Sequence, residues 1–178
     1  MSDPGIDATS HREAPDRISR VGFIDLLYAM LSGLVLQSIA LSSSFANCAR
    51  VLALFILLED YLAYHESTVT TGTPGRSYRR LAFVMDVGLL LLWYVAVLAA
   101  ADQPAWAFAA LGGFFGLKSA WEAVSYPEIR GRLLVSRTHL PLMLLAFGAI
   151  LLPPETGLLV VGLGWLAYTP YWWWVKAR

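Results

Sequence analysis

Five carboxylates stand inside stretches that otherwise read as membrane-spanning helices: Asp25, Glu59, Asp60, Asp86 and Glu122. Lys118 joins them, and His65 and His139 flank them. A charge at the centre of a membrane helix costs ~2.5–3.5 kcal/mol on insertion scales, so it turns toward the protein interior and finds a partner. Carboxylates, an ammonium and imidazoles gathered away from water can hold a cation or hand on protons. Close carboxylates cannot all stay charged without compensation, and acids outnumber bases here, which favours shared protons or a bound cation. Lys118 and Glu122 are four apart, so they share a helix face and can pair. Lys118 can instead bridge to Asp25 or Asp86 on a neighbouring helix. Glu59 and Asp60 are adjacent and point ~100° apart on a helix, so one is expected to look inward and the other toward a neighbour. The same set also suits a buried ion-pair network that fixes helix register, or side chains that snorkel to headgroups.

The elements that must position these groups are apolar runs. The chain has 178 residues, 57% of them hydrophobic, with mean hydropathy +0.57, which places it in a membrane class rather than among soluble domains. The runs span about 21–41, 46–64, 81–101, 105–124, 139–152 and 156–174. Breakers separate them: Ser42-Ser43-Ser44, a 66–79 loop with Thr71-Gly72-Thr73-Pro74-Gly75, Asp102-Gln103-Pro104, Tyr126-Pro127 and Pro153-Pro154. A span needs ~20 apolar residues. Five runs reach that length. The fifth is short, is reduced further by His139 and Pro141, and can borrow a first turn from Leu133 to Val135. The expectation is an all-α polytopic membrane protein, a six-transmembrane-helix bundle over 19–178 with a short fifth helix. Residues 1–18, mixed in charge and without an apolar core, read as a disordered cytoplasmic tail rather than a signal peptide.

Orientation follows the cations. Arg12, Arg17 and Arg20, then Arg76, Arg79 and Arg80, then Arg130, Arg132 and Arg137, and finally Lys176 and Arg178 all fall on one side of an alternating six-span chain. The other side has Asp102 and Glu155, with Arg50 its only nearby cation. Both termini are therefore expected in the cytoplasm of a cell with this protein in its inner membrane. Tyr171-Trp172-Trp173-Trp174 then forms an interfacial aromatic belt. The carboxylates and Lys118 all fall in the cytoplasmic leaflet, beneath an apolar outer half.

On a helical wheel, Asp25, Ala29, Ser32 and Leu36 share one side of the first run, and Met30, Leu34 and Gln37 share the opposite side. The first side suits packing within one subunit. The second suits the axis of a symmetric oligomer, where Met30 and Leu34 would make an apolar constriction of the kind that gates or filters ions. Ordinary packing explains the same residues. Gly112 and Gly116, like Ala29 and Gly33, form small-xxx-small faces that bring helices close.

The segment Arg20-Val21-Gly22-Phe23-Ile24-Asp25-Leu26-Leu27-Tyr28-Ala29 resembles the start of the transmembrane protein 175 family. Phe23, Asp25 and Ala29 match its first-helix pattern, with Tyr28 at the aromatic position. Ile24 stands where the family has Ser, and the Arg spacing is off by one. At the end of the second run, Tyr61-Leu62-Ala63-Tyr64-His65 keeps the last His of a Trp-x-x-His-His pattern. The resemblance implies a six-helix potassium-channel unit, tetrameric in bacteria. Phe23 and Asp25 would then brace helix one against His65, and Met30, Leu34 and Gln37 would line the pore.

Other classes are constrained. Zero net charge gives no case for a nucleic-acid partner. Cys48, the single cysteine, excludes an internal disulfide and a cysteine metal cluster. Ser32, Ser119 and Ser125 lack a histidine on a nearby turn, and no phosphate loop or metal-hydrolase spacing occurs, so neither an enzyme nor a cofactor is expected. His65 and His139, at similar depth on helices two and five, leave a haem-binding subunit as a rival. A non-catalytic accessory protein is another. A transporter would have internal repeats, and Arg20-Phe23-Asp25 against Arg80-Phe83-Asp86 is the one echo found. The leading expectation is a homo-oligomeric channel subunit for potassium or protons in a lipid bilayer.

Overall fold

A computed structural model describes residues 10–39, 44–69, 80–125 and 134–176, with side chains described over 20–39, 44–65, 81–122 and 139–171. These residues form six α-helices and no strand: α1 Ser10–Ser38, α2 Phe45–Val69, α3 Arg80–Ala99, α4 Pro104–Ser125, α5 Leu134–Ala149 and α6 Pro154–Lys176. The apolar runs and their breakers thus mark the helices to within a few residues, except at the start of α1, the end of α2 and the start of α5. α1 begins at Ser10, well inside the segment expected to be a tail. Ser10 and Glu13 have the Ser-x-x-Glu spacing of a helix start. Residues 1–9 and the loops with Arg76, Arg79, Arg130 and Arg132 lie outside the described residues, as do the side chains of Trp172, Trp173 and Trp174.

The helix ends obey local chemistry. Ser44 opens α2, its hydroxyl accepting from Asn47 N at 3.4 Å and its carbonyl from Cys48 N at 3.1 Å. Arg50 reaches back from α2 and donates to Ser38 O at 3.0 Å, closing the C-terminus of α1. Pro104 and Pro154 each take the first position of a helix, where a missing N–H leaves nothing unsatisfied. α5 is the shortest helix, with 16 residues and Pro141 inside it.

α4 is the central helix, packed most extensively against α3 and α5, with α6 joined through α5. Glycines permit this approach. A Cβ on Gly112 would stand 2.9 Å from the Phe147 ring, and one on Gly116 would stand 3.0 Å from Met143 Sδ. The expected small face of α4 is therefore an intramolecular seam with α5. The Ala29–Gly33 face of α1 is different: Ala29 is exposed and Gly33 has nothing within 4 Å of a would-be Cβ. α1, α2 and α3 pack on one another more loosely, and α2 also touches α6. Trp93 of α3 ties to α2 by donating from Nε1 to Ala53 O at 2.7 Å.

α1 is rotated from the expectation. Its buried residues are Ile24, Tyr28 and Val35, with Leu31 partly buried beside them, a 4-3-4 stripe. Of the side expected to pack inward, Ala29 and Leu36 are exposed, while Asp25 and Ser32 are half-buried. Both sides of this helix are apolar, so the larger Ile24–Tyr28–Val35 stripe wins the interior by burying more surface. Met30, Leu34 and Gln37 are exposed.

The distribution of polarity is unusual for a chain of this size. Large apolar side chains stand exposed on every helix, among them Leu26, Phe55, Val84, Trp106, Leu144 and Leu163. The buried set includes Asn47, Asp60, Asp86, Lys118, Ser119, Glu122 and His139. Two described helices, Arg20–Ser38 and Leu81–Ala99, are long and apolar enough by themselves to cross a membrane, and His139–Ala149 is a shorter apolar stretch. Charges in α2, and Gly and Trp together with Lys118 in α4, dilute the apolar character of those helices.

Candidate functional site

The buried ionisable groups and two tyrosines meet in one layer to which all six helices contribute. Asp60 on α2 is its centre. One carboxylate oxygen accepts from the Tyr28 hydroxyl of α1, and the other from the Lys118 ammonium of α4. Asp60 is 1% exposed and Lys118 3%, so the pair is out of contact with solvent. The ammonium also lies 4.7 Å from the centre of the Trp121 ring, one turn along α4, in cation–π contact.

Next to Trp121, one turn along α4 from Lys118, Glu122 anchors a second unit. His139 on α5 faces it with Nδ1 at 3.1 Å from Oε2. The Tyr168 hydroxyl of α6 lies 2.7 Å from His139 Nε2. Nδ1 is thus set against the Glu122 carboxyl group and Nε2 against the phenol, two hydrogen-bond contacts whose donors are set by the ring tautomer. The His139 ring lies 6.4 Å from the Phe115 ring and 4.8 Å from the Tyr168 ring between centroids.

Asp86 of α3 is 2% exposed and within electrostatic reach of Asp60 and Lys118. Glu59 is half-buried, within reach of Lys118, Asp60, His139 and Glu122. The adjacent acids thus differ in burial: Asp60 is enclosed, and Glu59 is half-buried.

Several expected pairings are replaced. Lys118 takes Asp60 rather than Glu122, Asp25 or Asp86 as its hydrogen-bonded partner, and Glu122 takes His139. Both oxygens of Asp60 are thereby engaged, one by the Tyr28 hydroxyl and one by the ammonium. Asp25 stands apart from these two units. It is half-buried, and its enclosed Oδ1 has no hydrogen-bond partner among the described residues. Phe23 is exposed and sits 6.0 Å from the Phe83 ring. His65 is exposed and packs on Tyr61 at 5.7 Å. The two histidines therefore differ in setting, and both nitrogens of His139 are engaged with protein groups, which leaves none to ligate a haem iron in this arrangement. Among the described residues, no group of three or more His, Cys, Asp or Glu side chains is disposed to hold a metal ion.

The sequence reading missed Tyr28 and Tyr168 as members of the site. Tyr28 lies four residues after Ile24 on the buried stripe, a spacing visible in the sequence. Tyr168 lies close to the Tyr171–Trp174 belt and reads as part of it.

The chain matches no family model, no curated protein and no solved structure.

Proposed function

We propose that this chain is a six-span membrane protein that works as a homo-oligomer and passes a monovalent cation, a proton or potassium, across the bilayer. The observation that carries this reading is the polarity of the bundle: ionisable side chains enclosed at one level, large apolar side chains exposed on every helix. In water an exposed apolar surface of this extent would drive aggregation, whereas in lipid it is the expected exterior. Ionisable groups inside such a bundle mark ion or proton paths by default.

Two features bear on the path. Met30 and Leu34 are 55% and 48% exposed on a face of α1 that also includes Gln37. Around an oligomer axis these side chains form the apolar constriction. Asp60, Lys118, Glu122, His139, Tyr28 and Tyr168 form the polar layer behind it. The protein belongs on this reading in the inner membrane with both termini in the cytoplasm.

Reconstitution into liposomes tests the proposal, with a potassium gradient in one arm and a pH gradient in the other. Flux from the pure protein that changes in Met30→Ala and Leu34→Ala supports it. An absence of both fluxes, or flux indifferent to both substitutions, overturns it.

One observation favours a second reading, a non-catalytic membrane accessory protein. Asp60 and Glu122 are each already paired, and a satisfied network is what fixes helix register. A bundle that keeps its fold and shows no flux, yet co-purifies with a defined membrane partner, would favour that reading.

A further inference from the structure

The centre of the polar layer bears on which cation is taken. We propose that Asp60, Glu122 and the Trp121 ring form a site for one small ammonium-type cation, which the chain fills with its own Lys118 side chain. The site has the parts that recognise an alkylammonium ion. A carboxylate oxygen of Asp60 accepts a charge-assisted hydrogen bond. An aromatic face lies 4.7 Å away. A second carboxylate, Glu122, stands one turn along the same helix as Lys118 and within its electrostatic reach. Each of these four residues is 3% exposed or less.

The tethered ion has a consequence for selectivity. With Tyr28 on one oxygen and Lys118 on the other, Asp60 has both oxygens engaged and offers little to a potassium or sodium ion. At the neighbouring station Glu122 faces His139, and His139 faces Tyr168. What these two units can exchange is hydrogen on oxygen and nitrogen. The layer therefore admits protons and excludes metal cations, and truncation of Lys118 opens the site to a free ion. This selectivity deepens the cation reading above and rests on it, whereas occupancy of the site does not.

The test uses Lys118→Ala in the full chain. In detergent, its melting temperature is expected to fall below that of the wild type. Ammonium or methylammonium chloride is expected to restore much of the loss, and tetramethylammonium chloride at equal ionic strength is expected to leave it. The wild type and Lys118→Ala/Asp60→Asn should not respond. An absence of selective rescue, or equal rescue in the double variant, overturns the site. In liposomes, the wild type is expected to pass protons and not potassium, and Lys118→Ala to pass potassium as well. Equal potassium flux in both proteins overturns the selectivity. No flux of any kind, with ammonium rescue intact, sinks the transport reading and leaves the site standing.

Should Lys118→Ala fail to fold, the wild type supplies the measurement. The chain has two lysines, Lys118 and Lys176, so nitrogen-15 lysine labelling gives two side-chain signals. An ammonium signal from Lys118 protected from solvent exchange, and unmoved by potassium, supports the proposal. A signal that exchanges as fast as a free amine overturns it.

Discussion

Replacing Asp60 and Lys118 singly and together gives the sharpest prediction. Their side chains are 2% and 4% exposed, so neither group has water to turn to when its partner goes. Asp60→Asn leaves a buried ammonium without its hydrogen-bonded carboxylate, with Glu122 and Glu59 acting on it only through space, and Lys118→Met leaves a buried carboxylate. Breaking a buried pair from one side costs ~3–5 kcal/mol, most of it the penalty of the stranded charge. Asp60→Asn/Lys118→Met removes both charges of the pair, and what it loses beyond the pair is the ammonium's reach to Asp86, Glu59 and Glu122. Its amide oxygen still accepts from the Tyr28 hydroxyl, and Met fills most of the lysine stem volume, so the double variant should lie within ~1–2 kcal/mol of the wild type. The singles are thus expected to be non-additive, the double variant being more stable than either. Reversible unfolding in mixed micelles of dodecyl maltoside and sodium dodecyl sulfate reads these differences. Singles costing under ~1 kcal/mol each, or a double variant as poor as the sum of both, would refute the claim that charge burial sets the energy of this layer.

Two glycines of α1 and α4 should respond in opposite ways to the same change. Gly112→Ala would drive its Cβ to 2.9 Å from the Phe147 ring, so it should lower stability by ~1–3 kcal/mol by overpacking. Gly33→Ala meets nothing within 4 Å and should raise the stability of the isolated bundle by up to ~1 kcal/mol through helix propensity. Both are read in the same micellar titration, and a loss at Gly33 comparable to that at Gly112 would contradict the open face of α1. A bulkier Gly33→Leu should lower the oligomeric mass in light scattering while sparing the helical signal. Cys48 is exposed in the first turn of α2, and on the proposed orientation a membrane-impermeant maleimide should label it from outside intact spheroplasts. Labelling only after permeabilisation would reverse the orientation.

Much of the architecture was written locally. Pro104, Pro153-Pro154 and Ser44 stop or start helices through their own backbone chemistry, so the helical segments could be read directly from the chain. Part of the polar layer was also legible, because a charge in an apolar run has few places to go: Asp60, Asp86, Lys118 and Glu122 are all buried, whereas Asp25, in the same kind of run, is half-buried and stands apart. The length of α1 was not, because the polar residues of 10–18 have no apolar period to announce a helix.

What the tertiary structure decided was who meets whom. Lys118 had Glu122 four residues away on its own helix, yet it bonds to Asp60, 58 positions distant in sequence. His139 joined Glu122 and Tyr168 across three helices. Such contacts depend on the rotation and register of each helix. In soluble proteins the contrast between a greasy and a wet side reveals that rotation. Here the exposed and enclosed sides of a helix are both apolar, so the wheel of α1 gave no direction. The fit of Ile24, Tyr28 and Val35 against the other helices, and of Phe147 and Met143 against the glycines of α4, fixed the rotations that bring the ionisable groups together.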